Sequence, residues 1–310
     1  MSAPQILVTC RQMQVELPRH RDRIEKLGYE VVAPDLGARQ QFTAAELLEY
    51  GPRMVGIIAG DDELDREFFD GADDLKVLIR WGIGMDSVDH EAAREHAVTV
   101  RNTPGVFGYE VADSAFGYIL NLARGHIVVD AAVRRGEWPK REGVTLAGAR
   151  LGIVGFGSIG REIATRGRGF GMDVVAFDPF VENPAHGVAM VPLDELMSTS
   201  GFIVLACPLT PDTVRLIDAD RLALARPDAY LVNVARGPVV VEADLIATLK
   251  AGRLAGAGLD VFEVEPLPMD SELRALPNVV LGAHNASNTR EGVARASAAA
   301  VDFLIEELTR

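Results

Sequence analysis

Residues 151–160 have the sequence LGIVGFGSIG, a short apolar run that leads into a glycine-rich turn. A helix-like stretch follows, and then a second apolar run, Val174–Phe177, which ends at the acidic residue Asp178. Strand, glycine loop, helix, strand and acid in this order are typical of a mononucleotide-binding unit built on a parallel sheet. The sequence therefore predicts a dinucleotide-binding domain, and its glycine loop lies near the middle of a 310-residue chain.

The three glycines of this loop have separate physical roles. Gly155 permits a tight turn, Gly157 lets the backbone approach a pyrophosphate, and Gly160 allows the helix to pack closely on the strand. The first N–H groups of the helix then bind the phosphates. We expect Asp178 to accept hydrogen bonds from the adenosine ribose and to repel a 2′-phosphate, which favours NAD over NADP. The alternative is that Asp178 is an ordinary turn residue before Pro179.

The residues ahead of the loop predict a second α/β domain, because short apolar runs alternate there with helix-like stretches. Such alternation implies a parallel sheet covered by helices on both faces. Thr43 and Glu46 fit a capping box at the start of one helix. We expect strands at 5–9, 30–33, 55–59, 75–80, 98–101, 202–206, 229–234, 256–261 and 279–282, and helices at 19–27, 43–50, 65–71, 88–96, 110–124 and 290–308.

The bulk composition excludes several classes of protein. A formal net charge of −14 argues against a nucleic-acid partner. No apolar run approaches the ~18 residues of a membrane span, and the N-terminus lacks the pattern of a signal peptide. Cys10 and Cys207 give no disulfide framework. We therefore expect a cytoplasmic protein with two reduced thiols, no membrane contact and no bound metal.

Three titratable residues follow predicted strands of the nucleotide-binding half. Arg236 follows the strand at 229–234, Glu265 follows the strand at 256–261, and His284 follows the strand at 279–282. Ligands of open parallel sheets bind outside the carboxyl ends of the strands, so all three can converge beside a cofactor. Hydride transfer to a 2-oxo acid needs a cation, an acid and a partner for that acid. Alternatively, Glu265 is simply solvated and Arg236 is a surface cation.

Taken together, the motifs resemble those of the D-isomer-specific 2-hydroxyacid dehydrogenases, the family that includes phosphoglycerate dehydrogenase. The resemblance runs from about Leu75 to the C-terminus, and seven motifs occur in the family's order. They are residues 82–86 (GIGMD), 102–105 (NTPG), the glycine loop with Asp178, 207–213 (CPLTPDT), 233–237 (NVARG), 259–266 (LDVFEVEP) and His284.

The resemblance implies a role for each matching residue. Arg236 would bind the substrate carboxylate and ketone, and His284 would exchange the proton. Glu265 would hydrogen-bond His284 and favour its imidazolium form. Asp260 would hold the nicotinamide carboxamide. Backbone amides around Ile83 and Gly84 would bind the substrate carboxylate, and the NAD contacts would comprise Gly155, Gly157, Ser158, Ile159, Gly160, Asp178, Cys207, Pro208, Thr213, Val234, Ala235, Arg236, Asp260 and His284.

The resemblance also implies the architecture. Two doubly wound parallel-sheet domains are expected: a flavodoxin-like substrate domain, residues 1–101 with 286–310, and an inserted Rossmann NAD-binding domain, residues 102–285. A homodimer is implied as well, with Glu110–Arg124 and the segment around Trp138 at the interface.

Two positions depart from the family pattern. Ala283 stands where the family has a proline before the histidine, and Ala59 stands where phosphoglycerate dehydrogenases usually have an arginine for the substrate phosphate. The acidic run 61–63 beside Ala59 would repel a phosphate, although Arg11 or Arg80 could substitute for the arginine. The leading hypothesis is an NAD-dependent dehydrogenase of a small D-2-hydroxy acid. The alternatives are D-3-phosphoglycerate dehydrogenase and, from another class, an NAD-sensing protein that resembles the family's corepressors.

Overall fold

The structure, a computed structural model, describes residues 3–37, 39, 41–182 and 187–310. The chain divides into a first unit, Met1–Phe107 with Asn288–Arg310, and a second unit, Gly108–Ser287. The strands are β1 Gln5–Val8, β2 Glu30–Val32, β3 Met54–Ala59, β4 Val77–Arg80, β5 Thr99–Asn102, β6 Arg150–Val154, β7 Asp173–Phe177, β8 Ala189–Met190, β9 Phe202–Leu205, β10 Tyr230–Asn233, β11 Gly256–Leu259 and β12 Val279–Leu281.

Eleven α-helices connect these strands in the described part of the chain. They are α1 Arg11–Glu25, α2 Ala44–Leu48, α3 Arg66–Gly71, α4 His90–Glu95, α5 Gly108–Arg124, α6 His126–Arg134, α7 Ser158–Gly169, α8 Leu193–Thr199, α9 Ala219–Leu224, α10 Glu242–Lys250 and α11 Arg290–Leu308. Short 3-10 helices lie at Gly51–Arg53, Gly237–Val239 and Glu272–Ala275.

The first unit is built on a five-stranded parallel sheet with the order β2-β1-β3-β4-β5. This order is that of the flavodoxin-like fold, as predicted, and its direction of winding reverses between β1 and β3. The strands are continuous apolar runs because helices cover both faces of the sheet. All four residues of β1 are buried, and α1 packs through a buried face that includes Met13, Leu17 and Ile24.

The second unit is built on a seven-stranded parallel sheet with the order β12-β11-β10-β9-β6-β7-β8. Counted from β6 within this unit, the order is 3-2-1-4-5-6-7, which is the Rossmann order with one further strand at an edge. The winding reverses between β6 and β9. The glycine loop follows β6, so it lies at the switch point where such sheets bind their ligands. The predicted fold class is therefore confirmed for both units.

The boundaries of several elements differ from the sequence prediction. The helix expected at 19–27 begins earlier, at Arg11, and carries Pro18 in its interior. A proline inside a helix removes one backbone hydrogen bond, but burial of the α1 face on the sheet outweighs that loss. The helices α6, α8, α9 and α10 and the two-residue strand β8 were not predicted. The capping box at Thr43 and Glu46 is present, and α11 has its predicted bounds.

Two properties of the described ranges concern membranes and metal ions. Within those ranges, no helix combines the length and apolar character needed to cross a membrane. The same residues contain no group of three or more His, Cys, Asp or Glu side chains that would hold a metal ion.

Candidate active site

The glycine loop connects β6 to α7 and leaves an open surface above the helix start. Gly155 has a φ of +93°, and a Cβ there would lie 2.6 Å from the backbone of Cys207, so only glycine fits this turn. Gly157 is the N-cap of α7, and a Cβ on it would meet no described atom within 4 Å. The backbone N–H groups of the first helical turn have no intrahelical acceptors. This combination of an open loop and unpaired donors fits the pyrophosphate of a dinucleotide.

Asp178 lies at the end of β7 and is tied to the glycine loop. Its Oδ2 accepts a hydrogen bond from the backbone N–H of Phe156 at 2.8 Å, and its Oδ1 accepts one from the N–H of Phe180 at 2.9 Å. Each carboxylate oxygen has a second lone pair, so the side chain keeps capacity to accept bonds from ribose hydroxyls. Asp178 therefore makes the hydrogen bonds expected of a turn residue before Pro179. It also keeps the capacity to accept hydrogen bonds expected of a residue that binds the adenosine ribose.

A cavity of about 560 Å³ is lined in part by the residues that follow Asp178, and the sequence did not indicate these residues. It is lined by Arg161, Pro179, Phe180, Val181 and Glu182. The Arg161 guanidinium lies 5.2 Å from the centroid of the Phe156 ring. Arg161 could have been predicted from the sequence, because it directly follows Gly160 and lies near the start of the helix after the loop.

The segment after β9 forms a closed turn beside the glycine loop. The Thr213 hydroxyl donates to the carbonyl oxygen of Pro208 at 2.6 Å and accepts from the N–H of Thr210 at 2.7 Å. Cys207 is buried, and this burial raises the pKa of its thiol to about 11. The thiol is therefore neutral at physiological pH and acts as a packing group rather than a nucleophile.

The turn after β10 presents Arg236. The buried side chain of Asn233 donates to the carbonyl oxygen of Arg236 at 3.0 Å and accepts from the N–H of Ala235 at 3.0 Å. Val234 and Ala235 are buried, whereas Arg236 is half-buried. The asparagine therefore fixes the backbone of the turn, and the guanidinium lies at the carboxyl edge of the sheet, as predicted for a ligand-binding cation.

Glu265 and His284 form a hydrogen-bonded pair. The Nδ1 atom of His284 lies 2.7 Å from Oε2 of Glu265, and Oε1 of Glu265 accepts the backbone N–H of Phe262 at 2.9 Å. A carboxylate on Nδ1 fixes the orientation of the imidazole ring. The two side chains are 34% and 33% exposed, so they are accessible from solvent.

Asp260 is the most enclosed acid among the predicted site residues, at 3% exposure. Its Oδ2 accepts the N–H of Ala286 at 2.9 Å, while Oδ1 accepts the N–H of Asn285 at 3.3 Å and the hydroxyl of Tyr118 at 2.9 Å. Burial and the Asp260 charge raise the pKa of Tyr118, so its hydroxyl remains a donor. Sequence reasoning missed Tyr118, because it lies within an otherwise apolar stretch of α5.

In the first unit, Ile83 and Gly84 follow β4 in a loop held from β5. The N–H of Gly82 donates to the Thr103 hydroxyl at 2.9 Å, and the Asn102 amide donates to the carbonyl oxygen of Ile83 at 2.7 Å. Both predicted residues are half-buried. The loop therefore has a fixed backbone, which is what binding through main-chain amides requires.

The acidic run at 61–63 divides between two environments. Asp62 is buried and accepts three hydrogen bonds, from the Thr9 hydroxyl at 2.5 Å, the Phe42 N–H at 2.8 Å and the Gly60 N–H at 2.9 Å. Burial raises the pKa of Asp62, although these donors act in the opposite direction. Asp61 forms an ion pair with the buried Arg80.

Comparison with known proteins defines the family. Residues 116–286 match the family model described as D-isomer specific 2-hydroxyacid dehydrogenase, NAD binding domain. A glyoxylate reductase of Thermococcus onnurineus is 43% identical over 249 residues, which cover 75% of this chain and 74% of that protein. A D-3-phosphoglycerate dehydrogenase of Methanocaldococcus jannaschii is 36% identical over 284 residues, which cover 88% of this chain and 53% of that protein.

Solved structures agree with this assignment. The TT0316 protein of Thermus thermophilus has a TM-score of 0.88 at 36% identity, over 98% of this chain and 97% of that chain. An NADPH-dependent glyoxylate/hydroxypyruvate reductase of Sinorhizobium meliloti has a TM-score of 0.85 at 30% identity, over 99% of this chain and 94% of that chain. The chain belongs to the D-isomer-specific 2-hydroxyacid dehydrogenase family. It is an NAD-dependent oxidoreductase of 2-hydroxy acids, which confirms the predicted class and cofactor.

Proposed function

We propose that this enzyme interconverts a small, unphosphorylated D-2-hydroxy acid and its 2-oxo acid, with glyoxylate as the first substrate to test. The observation that carries the proposal is the hydrogen bond between Glu265 and His284 at the carboxyl edge of the NAD-binding sheet. Arg236, Glu265 and His284 follow the neighbouring strands β10, β11 and β12, so one edge supplies all three groups. Relatives described as glyoxylate reductases, 43% and 42% identical to this chain, support a small substrate.

In the proposed mechanism, NAD, when bound, would supply or accept the hydride at C2. The Arg236 guanidinium binds the carboxylate and the ketone oxygen of the 2-oxo acid by charge-assisted hydrogen bonds. In reduction, Nε2 of His284 donates its proton to the ketone oxygen, and in oxidation it takes the proton back. Glu265 holds the ring through Nδ1 and stabilises the charged imidazolium. Backbone amides around Ile83 and Gly84 are also proposed to bind the substrate carboxylate.

We propose that residues of the second unit make the contacts with the cofactor. The N–H groups of Gly157, Ser158 and Ile159 would hold the pyrophosphate, and Asp178 would accept the ribose hydroxyls. The turns at 207–213 and 234–236 would flank the rest of the dinucleotide. Because the Asp178 carboxylate is negative and half-buried, it would repel a 2′-phosphate, and we infer a preference for NADH over NADPH. The domain assignment of residues 102–285 and of 1–101 with 286–310 is part of this proposal.

The residues of the first unit argue against a phosphorylated substrate such as 3-phosphohydroxypyruvate. Ala59 is buried and offers no cation for a phosphate, and Arg80 is already engaged by Asp61. A screen of NADH oxidation with glyoxylate, hydroxypyruvate, pyruvate and 3-phosphohydroxypyruvate tests the proposal. We expect turnover with at least one of the first three substrates and a kcat/KM for the phosphorylated acid at least about tenfold lower. Absence of turnover with all four would favour the corepressor-like alternative instead.

We further propose a homodimer and a cytoplasmic location. Several apolar side chains of α6 and the segment after it are exposed in the single chain, and a second copy would bury them. They are Ile127, Val128, Val133, Trp138 and Val144, with exposures of 54%, 48%, 42%, 77% and 42%. Light scattering on the purified enzyme tests the dimer. The two free, buried cysteines, Cys10 and Cys207, are compatible with a reducing compartment.

A further inference from the structure

The Tyr118 side chain reaches the sheet of the second unit through a gap left by two glycines. A Cβ on Gly258 in β11 would lie 2.7 Å from the Cβ of Tyr118. A Cβ on Gly282, directly after β12, would collide with the Tyr118 hydroxyl and with the Asp260 carboxylate. Since any larger residue would block this path, both glycines are needed for the tyrosine to contact Asp260.

The hydroxyl of Tyr118 completes the set of donors around a buried carboxylate. Asp260 is 3% exposed. Its carboxylate accepts hydrogen bonds from the Tyr118 hydroxyl at 2.9 Å and from the N–H groups of Asn285 and Ala286. A buried carboxylate is strongly destabilised unless hydrogen bonds compensate its lost hydration. Among these three donors, the two backbone groups belong to the residues that directly follow His284.

Asp260 also holds His284 itself through the main chain. The N–H of His284 donates to the carbonyl oxygen of Asp260 at 2.7 Å. His284 has a φ of +49°, in the left-handed region that residues with a side chain rarely adopt. Asp260 therefore contacts three consecutive residues, 284–286, and these contacts favour the unusual backbone conformation that directs the imidazole.

We propose that Tyr118 is a positioning residue for proton transfer: its hydroxyl orients the Asp260 carboxylate, and Asp260 holds the backbone of residues 284–286 so that His284 faces the substrate. The inference rests on the proposed function of His284, and it deepens that function by adding a residue on α5 that acts through Asp260. In this chain, Ala283 precedes the histidine, so the loop lacks the conformational restriction of a proline at that position. The hydrogen bonds through Asp260 supply an equivalent restriction.

The substitution Tyr118→Phe tests the proposal, because it keeps the ring between the two glycines and removes only the hydroxyl. We expect kcat to fall by about tenfold, which corresponds to one hydrogen bond to a charged group. The solvent isotope effect on kcat, measured in H2O and D2O, should increase because misdirected proton transfer becomes more rate-limiting. The matched control is Tyr230→Phe, which loses the same hydroxyl from a ring stacked on Phe202 at the start of β10.

A second measurement does not depend on turnover. Amide hydrogen exchange of residues 282–289 in the free enzyme should be faster in Tyr118→Phe than in the wild type, and unchanged in Tyr230→Phe. An unaltered kcat in Tyr118→Phe would overturn the proposal, whatever the exchange rates. A lower kcat with unaltered exchange would also overturn it, because the effect would not pass through the loop. If the wild type reduces no 2-oxo acid, the proposed function fails, and the exchange data alone then decide whether Tyr118 anchors residues 284–286.

Discussion

Charged residues lie at the carboxyl edges of both sheets, but they differ in exposure and in hydrogen bonding. In the first unit, Arg80 is 5% exposed and paired with Asp61, and the Asp62 carboxylate is enclosed by three donors. In the second unit, Arg236 is half-buried, and the side chains of His284 and Glu265 are about one-third exposed. Topology alone marks both edges as ligand sites. Hydrogen bonding and exposure distinguish the charged residues of the first unit, which have a structural role, from those of the second unit, which can act on a substrate.

The strongest test of this contrast is the removal of the acid–base group. We expect His284→Ala to lower kcat by ~10²–10⁴, the usual contribution of a general acid or base, with little change in stability because the side chain is partly exposed. Steady-state kinetics with the preferred 2-oxo acid measures the effect. His96→Ala serves as the control, since His96 is a histidine of the first unit that contacts Asp70. Full turnover by His284→Ala would contradict the proposal that His284 is the acid–base group.

The reciprocal test breaks the buried cluster of the first unit. Asp62→Ala leaves the Thr9 hydroxyl and the N–H groups of Phe42 and Gly60 without their acceptor, so we expect the free energy of unfolding to fall by ~2–4 kcal/mol. Urea denaturation measures this loss. The neighbouring exposed acid provides the control, because Glu63→Ala should change stability by less than about 0.5 kcal/mol. Equal stabilities of the two variants would contradict a structural role for Asp62.

A smaller effect is expected from the acid beside the glycine loop. Asp178→Ala should raise KM for NADH by about tenfold, equivalent to ~1.4 kcal/mol, and should raise kcat/KM for NADPH because the negative charge is gone. Parallel kinetics with both cofactors gives the ratio. Asp173→Ala, at the opposite end of β7 and paired with Arg150, should leave that ratio unchanged. A wild type that already prefers NADPH would reject the role of Asp178.

The smallest effect concerns alkaline stability. Burial raises the pKa of the Cys207 thiol to about 11 in the folded chain, above its ordinary value of 9.0. Between these values the unfolded chain loses a proton that the folded chain keeps, so the free energy of unfolding falls as the pH rises. The stabilisation is complete below pH 9 and lost towards pH 11. We expect Cys207→Ala to lose about 1 kcal/mol less than the wild type between pH 8 and pH 10. Identical pH slopes would show that the thiol ionises at its ordinary pH.

Much of the architecture was predictable because its signals are local. The glycine loop, the second apolar run and Asp178 are close in sequence, and apolar runs mark strands that helices bury on both faces. The helix α11 was predicted to its bounds. The helix expected at 19–27 instead begins at Arg11, because burial of its apolar face outweighs the backbone hydrogen bond that Pro18 removes. The strand β8 has two residues, too few for any periodicity to show.

The candidate site divides in the same way. Arg236, Glu265 and His284 were predicted as site residues because each follows a strand, and parallel strands bring their carboxyl ends to one edge of a sheet. Tyr118 was missed because its meaning depends on a contact with Asp260, 142 residues away in the chain. The sequence by itself determined two parallel sheets, a dinucleotide loop and the residue types for hydride and proton transfer, since these depend on local pattern and spacing. Only the tertiary structure decided which charges neutralise one another and which remain accessible, because hydrogen-bond partners and burial are set by residues that the chain brings together from distant positions.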